Sequence, residues 1–61
     1  MKRVQLIKHL KKHRCSLIRE GKRHALWGNP EIGTRTAVPR HTEIDNVLVW
    51  EICKQLEIPR P

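Results

Sequence analysis

An apolar repeat of helical period near the carboxyl end of the sequence constrains the fold more than any other feature. Its members recur at the spacing i, i+3, i+4 and i+7, and they are Val49, Ile52, Cys53 and Leu56. Asp45 stands just ahead of the repeat, where its carboxylate can accept hydrogen bonds from the free amides of a first helical turn. Pro59 prevents the helix from continuing. The pattern predicts a helix from residue 45 or 46 to residue 56, with one apolar face that must pack on another layer.

A shorter stripe of the same kind predicts a helix over residues 3–13. Leu6, Ile7 and Leu10 share its apolar face, which Val4 could extend. No Ser, Thr or Asp is available to cap the start of this helix, so we expect its first turn to be loosely held.

Turn-forming residues divide the middle of the chain into three short strands. We predict these strands over residues 15–19, 23–28 and 34–38. Gly21 is free to take a positive φ in the tight connection between the first two, and residues 29–33 form a hairpin loop before the third. Pro39 ends the third strand because proline has no amide proton to donate to the ladder.

The order α-β-β-β-α predicts an α+β fold in a single domain, residues 1–61. The strands form a three-stranded antiparallel sheet, and such a meander can bury only one face. Both helices are therefore expected on that same face of the sheet.

The strands do not reveal which alternation faces the core, because both alternations carry apolar residues. We place Leu17 and Leu26 inward, which turns Trp27 towards the uncovered face. There Trp27 would be an ordinary sheet residue, or it would stack on a base or on a partner side chain.

Three large apolar residues of the last helix lie off its core stripe: Val47, Leu48 and Trp50. They indicate either a contact surface for a partner or a wider stripe that also includes Leu48. Trp50 is the one expected to point outward in both cases.

The chain carries thirteen Lys and Arg against six Asp and Glu, a formal net charge of +7. Such an excess is typical of a protein that binds a polyanion, either nucleic acid or an acidic protein. A domain of this size buries only about 60% of its unfolded surface, so its core is marginal and a partner would help to stabilise it. No segment has the length and apolarity of a membrane span or of a signal peptide, so we expect a cytoplasmic protein with reduced thiols.

The basic turn Glu20-Gly21-Lys22-Arg23-His24 leads directly into the second strand. An imidazole takes and gives protons near neutral pH, and the side chains of Lys22 and Arg23 can hold a phosphate. His24 is therefore the candidate catalytic residue. Because strands two and three are antiparallel, His41 lies at the same end of the sheet. His41 could be a second catalytic group, or a structural histidine that caps the turn into the last helix.

Other cations are candidates for a path that binds the phosphates of RNA, or are ordinary solubility charges. They are Arg19, Lys11, Lys12, Arg35 and Arg40. Together they predict binding that weakens as salt is added.

No metal or cofactor is expected. His9 and His13 share a helical face with Cys15 close by, but the glutamate of a zinc-peptidase motif is missing, and solvent-facing residues are the simpler interpretation. Two-metal nuclease chemistry requires several carboxylates close together, and the acidic residues of this chain do not lie in pairs. Cys15 and Cys53 match no zinc spacing, so we expect two packed thiols rather than a disulfide.

Several segments of the chain, in this order, resemble one known family. They are Leu17-Ile18-Arg19-Glu20-Gly21, Arg23-His24, Asn29-Pro30, Arg35-Thr36-Ala37-Val38-Pro39-Arg40-His41 and Ile52-Cys53-Lys54-Gln55-Leu56. From Val4 to Ile58 the chain is similar to the HicA toxins of bacterial HicA–HicB toxin–antitoxin systems. The resemblance implies a fold like that of the double-stranded-RNA-binding domain and an mRNA interferase, an endoribonuclease that degrades messenger RNA and is inhibited by a HicB-type antitoxin. It also implies that His24 is the catalytic histidine.

RNA cleavage without a metal is an internal transfer in which the 2′-hydroxyl attacks the adjacent phosphorus. His24 would accept the proton of that hydroxyl as general base, while Lys22 and Arg23 would neutralise charge on the phosphate. His41 or water would protonate the 5′-oxygen that leaves.

The chain departs from the family pattern at three places. Arg14 and Glu57 stand where the family usually has a glycine after a helix, so each helix must end either in a left-handed residue or in another way. The segment 45–47 lacks the usual Pro-Gly, which predicts a different start for the last helix.

Two other functions fit the same residues. One is an RNA-binding module without chemistry, in which a lone imidazole at position 24 has no evident purpose. The other is an inactive toxin homologue that acts as an interaction protein, for which the Val47–Trp50 surface matters more than His24.

Overall fold

A computed structural model describes all 61 residues and has the predicted order of elements. These elements are α1 (Arg3–Lys12), β1 (Ser16–Glu20), β2 (His24–Asn29), β3 (Thr34–Pro39) and α2 (Asn46–Gln55). Every boundary lies within one residue of its prediction. None of the helices has the length and apolarity needed to cross a membrane.

The sheet is a three-stranded antiparallel meander in the order β1-β2-β3. The β2–β3 ladder is regular from His24, which faces Pro39, to Asn29, which faces Thr34. The β1–β2 ladder contains a bulge at Ile18, between Leu17 and Arg19, where the register shifts.

One apolar core lies between the sheet and both helices. Its buried members are Leu6, Leu10, Cys15, Ala25, Trp27, Val38, Ile44, Val49, Ile52, Cys53 and Leu56. The two predicted helical stripes are confirmed, with Ile7 packed at the edge of the core. Val4 is 65% exposed, so it does not extend the stripe of α1.

The predicted facing of the strands is wrong for Trp27 and Leu26. Trp27 is 4% exposed in the core and Ala25 is fully buried, so Leu26 points to the other side. The chain has no Phe or Tyr, and Trp27 is the largest apolar side chain available to fill the space under the helices. Leu17 faces Trp27 across the ladder but is still 43% exposed, because it lies on the edge strand.

The side of the sheet away from the helices is called the open face here. By strand alternation and register its members are Ser16, Ile18, Arg19, His24, Leu26, Gly28, Arg35, Ala37 and Pro39.

Two polar contacts join α2 to the sheet at its carboxyl end. The Nδ2 of Asn29, a buried residue, donates to the carbonyl oxygen of Leu56 at 3.0 Å. The hydroxyl of Thr36 donates to the side-chain oxygen of Gln55. These contacts satisfy polar groups that would otherwise be buried without partners.

The start of α2 agrees with its prediction. The Oδ1 of Asp45 accepts a hydrogen bond from the amide of Val47 at 3.1 Å. The side chains of Val47, Leu48 and Trp50 are 64%, 39% and 42% exposed, so Leu48 is not part of a wider core stripe. The guanidinium of Arg60 lies 4.4 Å from the ring centroid of Trp50 and covers part of it.

The end of α1 is a Schellman motif without a glycine. The amide of Cys15 donates to the carbonyl of Leu10 at 2.9 Å, and that of Arg14 donates to Lys11 at 3.1 Å. This pattern needs a left-handed residue after the helix, and Arg14 has a φ of 66°. The expected departure at Arg14 is therefore present as backbone strain.

The same motif ends α2. The amide of Ile58 donates to the carbonyl of Cys53 at 3.0 Å, and that of Glu57 donates to Lys54 at 3.1 Å. Glu57 has a φ of 55°, which is the second left-handed residue that is not glycine. Each helix thus ends in a left-handed residue whose side chain opposes that conformation.

Cys15 and Cys53 are free, buried thiols. Burial raises the pKa of both, and the nearby Cys15 raises the pKa of Cys53 further. Both therefore stay protonated and pack as small apolar groups, as the sequence predicts. No cluster of three or more His, Cys, Asp or Glu side chains lies close enough to hold a metal ion.

Replacing Glu57 with glycine should raise the free energy of unfolding by up to about 1 kcal/mol. The left-handed conformation costs an L-residue about 1–2 kcal/mol, and the greater entropy of unfolded glycine offsets part of that gain. Urea denaturation measures the change. Lys54→Gly, inside α2, is the control and should lose about 1 kcal/mol. A loss of stability in Glu57→Gly as well would contradict the assignment of strain to this residue.

Candidate functional site

The candidate site is a groove where the β1–β2 turn meets the exit of β3. It has a volume of about 540 Å³ and is lined by Lys22, Arg23, His24, Arg40 and His41. Pairing of His24 with Pro39 begins the β2–β3 ladder, and the amide of Arg40 donates to the carbonyl of Arg23 at 3.2 Å. The two histidines thus lie at one end of the sheet, as the antiparallel order predicts, and both are exposed.

Gly21 lets the turn close tightly behind His24. Its amide donates to the carbonyl of His24 at 2.9 Å. A β-carbon at position 21 would lie 2.5 Å from that carbonyl oxygen, which is closer than real β-carbons come. The glycine is therefore needed for close approach, while the positive φ of 75° is found at Gly33 in the hairpin loop.

Arg40, which directly follows β3, holds the same turn. Its Nη1 lies 2.6 Å from Oε2 of Glu20 and 3.0 Å from the carbonyl oxygen of Gly21. A guanidinium that already binds a carboxylate and a backbone carbonyl has less capacity for phosphate. Lys22 and Arg23 have no acidic partner, so they are the free cations beside His24.

The segment that carries His41 is anchored on both sides by the start of α1. The amide of Arg3 donates to the carbonyl of Thr42 at 2.8 Å, and its Nε donates to the carbonyl of Pro39 at 2.9 Å. The amide of Ile44 donates to the carbonyl of Met1 at 2.8 Å. These contacts hold the first turn of α1 in place of a side-chain cap, and they fix the backbone on either side of His41.

The other cations proposed for RNA are spread over the surface. Arg19 pairs with Leu26 on the open face, two residues along β2 from His24. Arg35 pairs with Gly28, and it therefore lies about 13 Å along the strand from His24, at about 3.3 Å a residue.

Lys11 and Lys12 lie in the last turn of α1. Arg14 follows that turn and contacts Glu31 of the β2–β3 loop at 3.0 Å, so this turn is at the hairpin end of the sheet. The structure therefore does not bring Lys11 and Lys12 to the groove.

Glu20 and Arg3 are parts of the site that the sequence reasoning missed. Glu20 is the single acid in the basic stretch from Arg19 to His24, and that isolation was a usable signal for an internal ion pair. Arg3 gave no signal, because only the packing of α1 against the β3 exit places it near Pro39.

The groove combines an accessible imidazole with two free cations on a turn held by backbone contacts. The imidazole of His24 can move a proton beside a bound phosphate, and the adjacent positive charges can stabilise negative charge that develops on that phosphate.

One family model, described as the HicA toxin of bacterial toxin–antitoxin systems, matches residues 4–58. The match covers all five elements of the fold except Arg3, the first residue of α1, and it includes all five residues of the groove. Comparisons with curated proteins and with solved structures gave no match.

Arg40→Ala and Glu20→Ala should each loosen the β1–β2 turn while lowering the free energy of unfolding by only about 1 kcal/mol or less, because the ion pair is half exposed. Hydrogen exchange at the amide of Gly21, which is bonded to His24, should become faster in both variants. The double variant should exchange no faster than Arg40→Ala, which already loses both contacts of the guanidinium. Arg14→Ala removes the other side-chain ion pair and should leave this amide unchanged. Normal exchange at Gly21 in Arg40→Ala would show that the guanidinium does not hold the turn.

Proposed function

This chain belongs to the HicA toxin family of bacterial toxin–antitoxin systems, and we propose that it is an endoribonuclease that cleaves messenger RNA without a metal. The observation that carries the proposal is the position of His24. Its imidazole is exposed at the mouth of the groove, beside Lys22 and Arg23, and no carboxylate neutralises those two cations.

The proposed reaction is an internal transfer within the RNA. His24 accepts the proton of a 2′-hydroxyl as the 2′-oxygen bonds to the adjacent phosphorus, and the bond from phosphorus to the 5′-oxygen breaks. The products are a 2′,3′-cyclic phosphate and a strand with a 5′-hydroxyl. A general base of this kind typically contributes about 10²–10⁴-fold to the rate.

Lys22 and Arg23 supply positive charge for the non-bridging phosphate oxygens, where negative charge builds up in the transition state. Their place on the turn next to His24 keeps them within reach of the same phosphate. Protonation of the leaving 5′-oxygen falls to His41 or to water. His41 suits this role because its side chain is exposed at the groove, and Asp45 rather than His41 caps α2.

An antitoxin partner is implied by the family as a whole, and we propose that a HicB-type antitoxin inhibits this chain by covering the groove. An acidic surface placed over Lys22 and Arg23 would compete directly with the phosphates of RNA. Messenger RNA as substrate places the activity in the cytoplasm.

His24→Ala should lower the rate of RNA cleavage by about 10²–10⁴-fold, because the 2′-hydroxyl loses its general base. The assay follows a labelled single-stranded RNA in the presence of a chelator. His13→Gln removes an imidazole from the end of α1, outside the groove, and should cleave at the parent rate. His41→Gln tests which group protonates the leaving 5′-oxygen. Slower cleavage by this variant assigns that role to His41, and cleavage at the parent rate assigns it to water.

Cleavage by His24→Ala at the parent rate would reject the proposed base. RNA that is bound but left intact by the unmodified chain would instead favour a binding module without chemistry.

In the complex with the antitoxin, His24 should be protected from diethyl pyrocarbonate, because the partner covers the groove. Mass spectrometry of the modified peptides measures the rate at each histidine. His9 does not line the groove, and its Nε2 lies 2.6 Å from the carbonyl oxygen of Pro59, so it is the internal reference and should keep its rate. Equal modification of His24 in the free chain and in the complex would show that inhibition does not work by occlusion.

A further inference from the structure

A second cavity lies on the open face, at the end of the sheet away from His24. It is a shallow cleft of about 240 Å³ between β1, β2 and the start of β3. An apolar cavity of about 150 Å³ is enough to bind benzene, so this cleft has room for one aromatic ring. The groove around His24 does not include any of its lining residues.

Gly28 lies beneath the cleft, where the absence of a side chain lets Ile18 pack against β2. A β-carbon at this position would lie 2.6 Å from Cδ1 of Ile18 and 3.1 Å from the carbonyl oxygen of Thr34. Gly28 does not have a positive φ, so the backbone conformation does not require glycine. What requires it is the side chain of Ile18, which already lies close to where a β-carbon at position 28 would be.

The bulge in β1 supplies one wall. Ile18 has no partner in the β1–β2 register, and its side chain lies over Gly28 instead. It remains 49% exposed, which leaves a flat apolar surface towards solvent. Bulges often redirect a side chain in this way beside functional sites.

Arg35 supplies the opposite wall, because it pairs with Gly28 from β3. Its guanidinium has no hydrogen bond and no acidic partner, unlike those of Arg14 and Arg40. An unpaired guanidinium next to an apolar side chain is a suitable surface on which a planar base can stack.

We propose that this cleft is a subsite for one unpaired nucleobase of the RNA substrate. The base lies against the exposed side chain of Ile18, above Gly28, and beside the guanidinium of Arg35, and the attached phosphates continue along the open face past Arg19 towards His24. The link to cleavage rests on the proposed function, while binding of the base does not. The subsite requires single-stranded RNA, since a paired base cannot enter the cleft.

The geometry fixes how far the bound base lies from the cleaved bond. Gly28 is four residues from His24 on one strand, which is about 13 Å. At a base-stacking rise of about 3.4 Å per nucleotide, the value for one strand of DNA, the two sites are separated by about four nucleotides, and by fewer in an extended strand.

The test measures the affinity of RNA for the His24→Ala chain, in which the RNA stays intact, by fluorescence anisotropy at fixed salt. The probes are a short single-stranded RNA and an abasic strand of the same length. We expect the abasic strand to bind about tenfold more weakly, because it lacks the stacking contribution of a base. Adding Arg35→Gln or Ile18→Ala should reduce this ratio to about twofold, and Gly28→Val should abolish it.

Lys12→Gln is the matched control, since it removes one exposed positive charge from α1 and should leave the ratio of the two affinities unchanged. Arg35→Gln and Ile18→Ala change exposed residues, so they test the cleft even if Gly28→Val does not fold. A ratio near one in the parent chain would overturn the proposal, as would a ratio that Arg35→Gln and Ile18→Ala leave intact. If Arg35→Gln loses binding of the antitoxin but keeps the ratio of the two RNA affinities, the cleft is a protein interface, and that result would also overturn the proposal.

The affinity ratio does not depend on cleavage. A chain that shows the ratio but leaves RNA intact keeps the subsite and rejects the proposed function, whereas a chain that cleaves RNA without the ratio does the reverse.

Discussion

Burial of Trp27 determines what the rest of the molecule can present to solvent. Side chains of a strand alternate between the two faces, so the burial of Trp27 and Ala25 forces His24, Leu26 and Gly28 to the open face. A slip of one residue in the ladder would exchange the two sets and place the imidazole of His24 under the helices. The packing of one indole in the core therefore exposes both the proposed catalytic residue and the cleft at Gly28.

The sequence was a good guide wherever a local rule decides the structure. Helical spacing predicted both apolar stripes, and Asp45 was correctly identified as a cap. At Arg14 and Glu57 the family resemblance left two alternatives open, and the structure has the left-handed one at both. The strand facing could not be predicted, because β2 is apolar in both alternations and the choice depends on which side chain fills the core. That choice is a tertiary effect, and no local pattern in the sequence records it.

The same distinction applies to the candidate site. The antiparallel order was enough to place His24 and His41 together, and Lys22 and Arg23 adjoin His24 in the chain. Arg40 is different, because its guanidinium forms an ion pair with Glu20, twenty residues away in the sequence. Counting cations treats all of them as available to RNA, but ion pairs with Glu20 and Glu31 withdraw two arginines from that count. Because the few acidic side chains pair with only some of the cations, the basic surface can bind a phosphate best where lysines and arginines remain unpaired.

A rigid strand is the part of this fold best suited to relate two binding positions. Loops change length easily, but β2 is hydrogen-bonded on both sides and holds His24 and Gly28 at a fixed separation. If one base is held at Gly28, the phosphate beside His24 is set by the number of nucleotides that span the strand. Preference for a position in the RNA would then come from the geometry of the sheet rather than from contacts at the reacting bond. Such an arrangement suits a fold of five short elements, because one strand serves both positions.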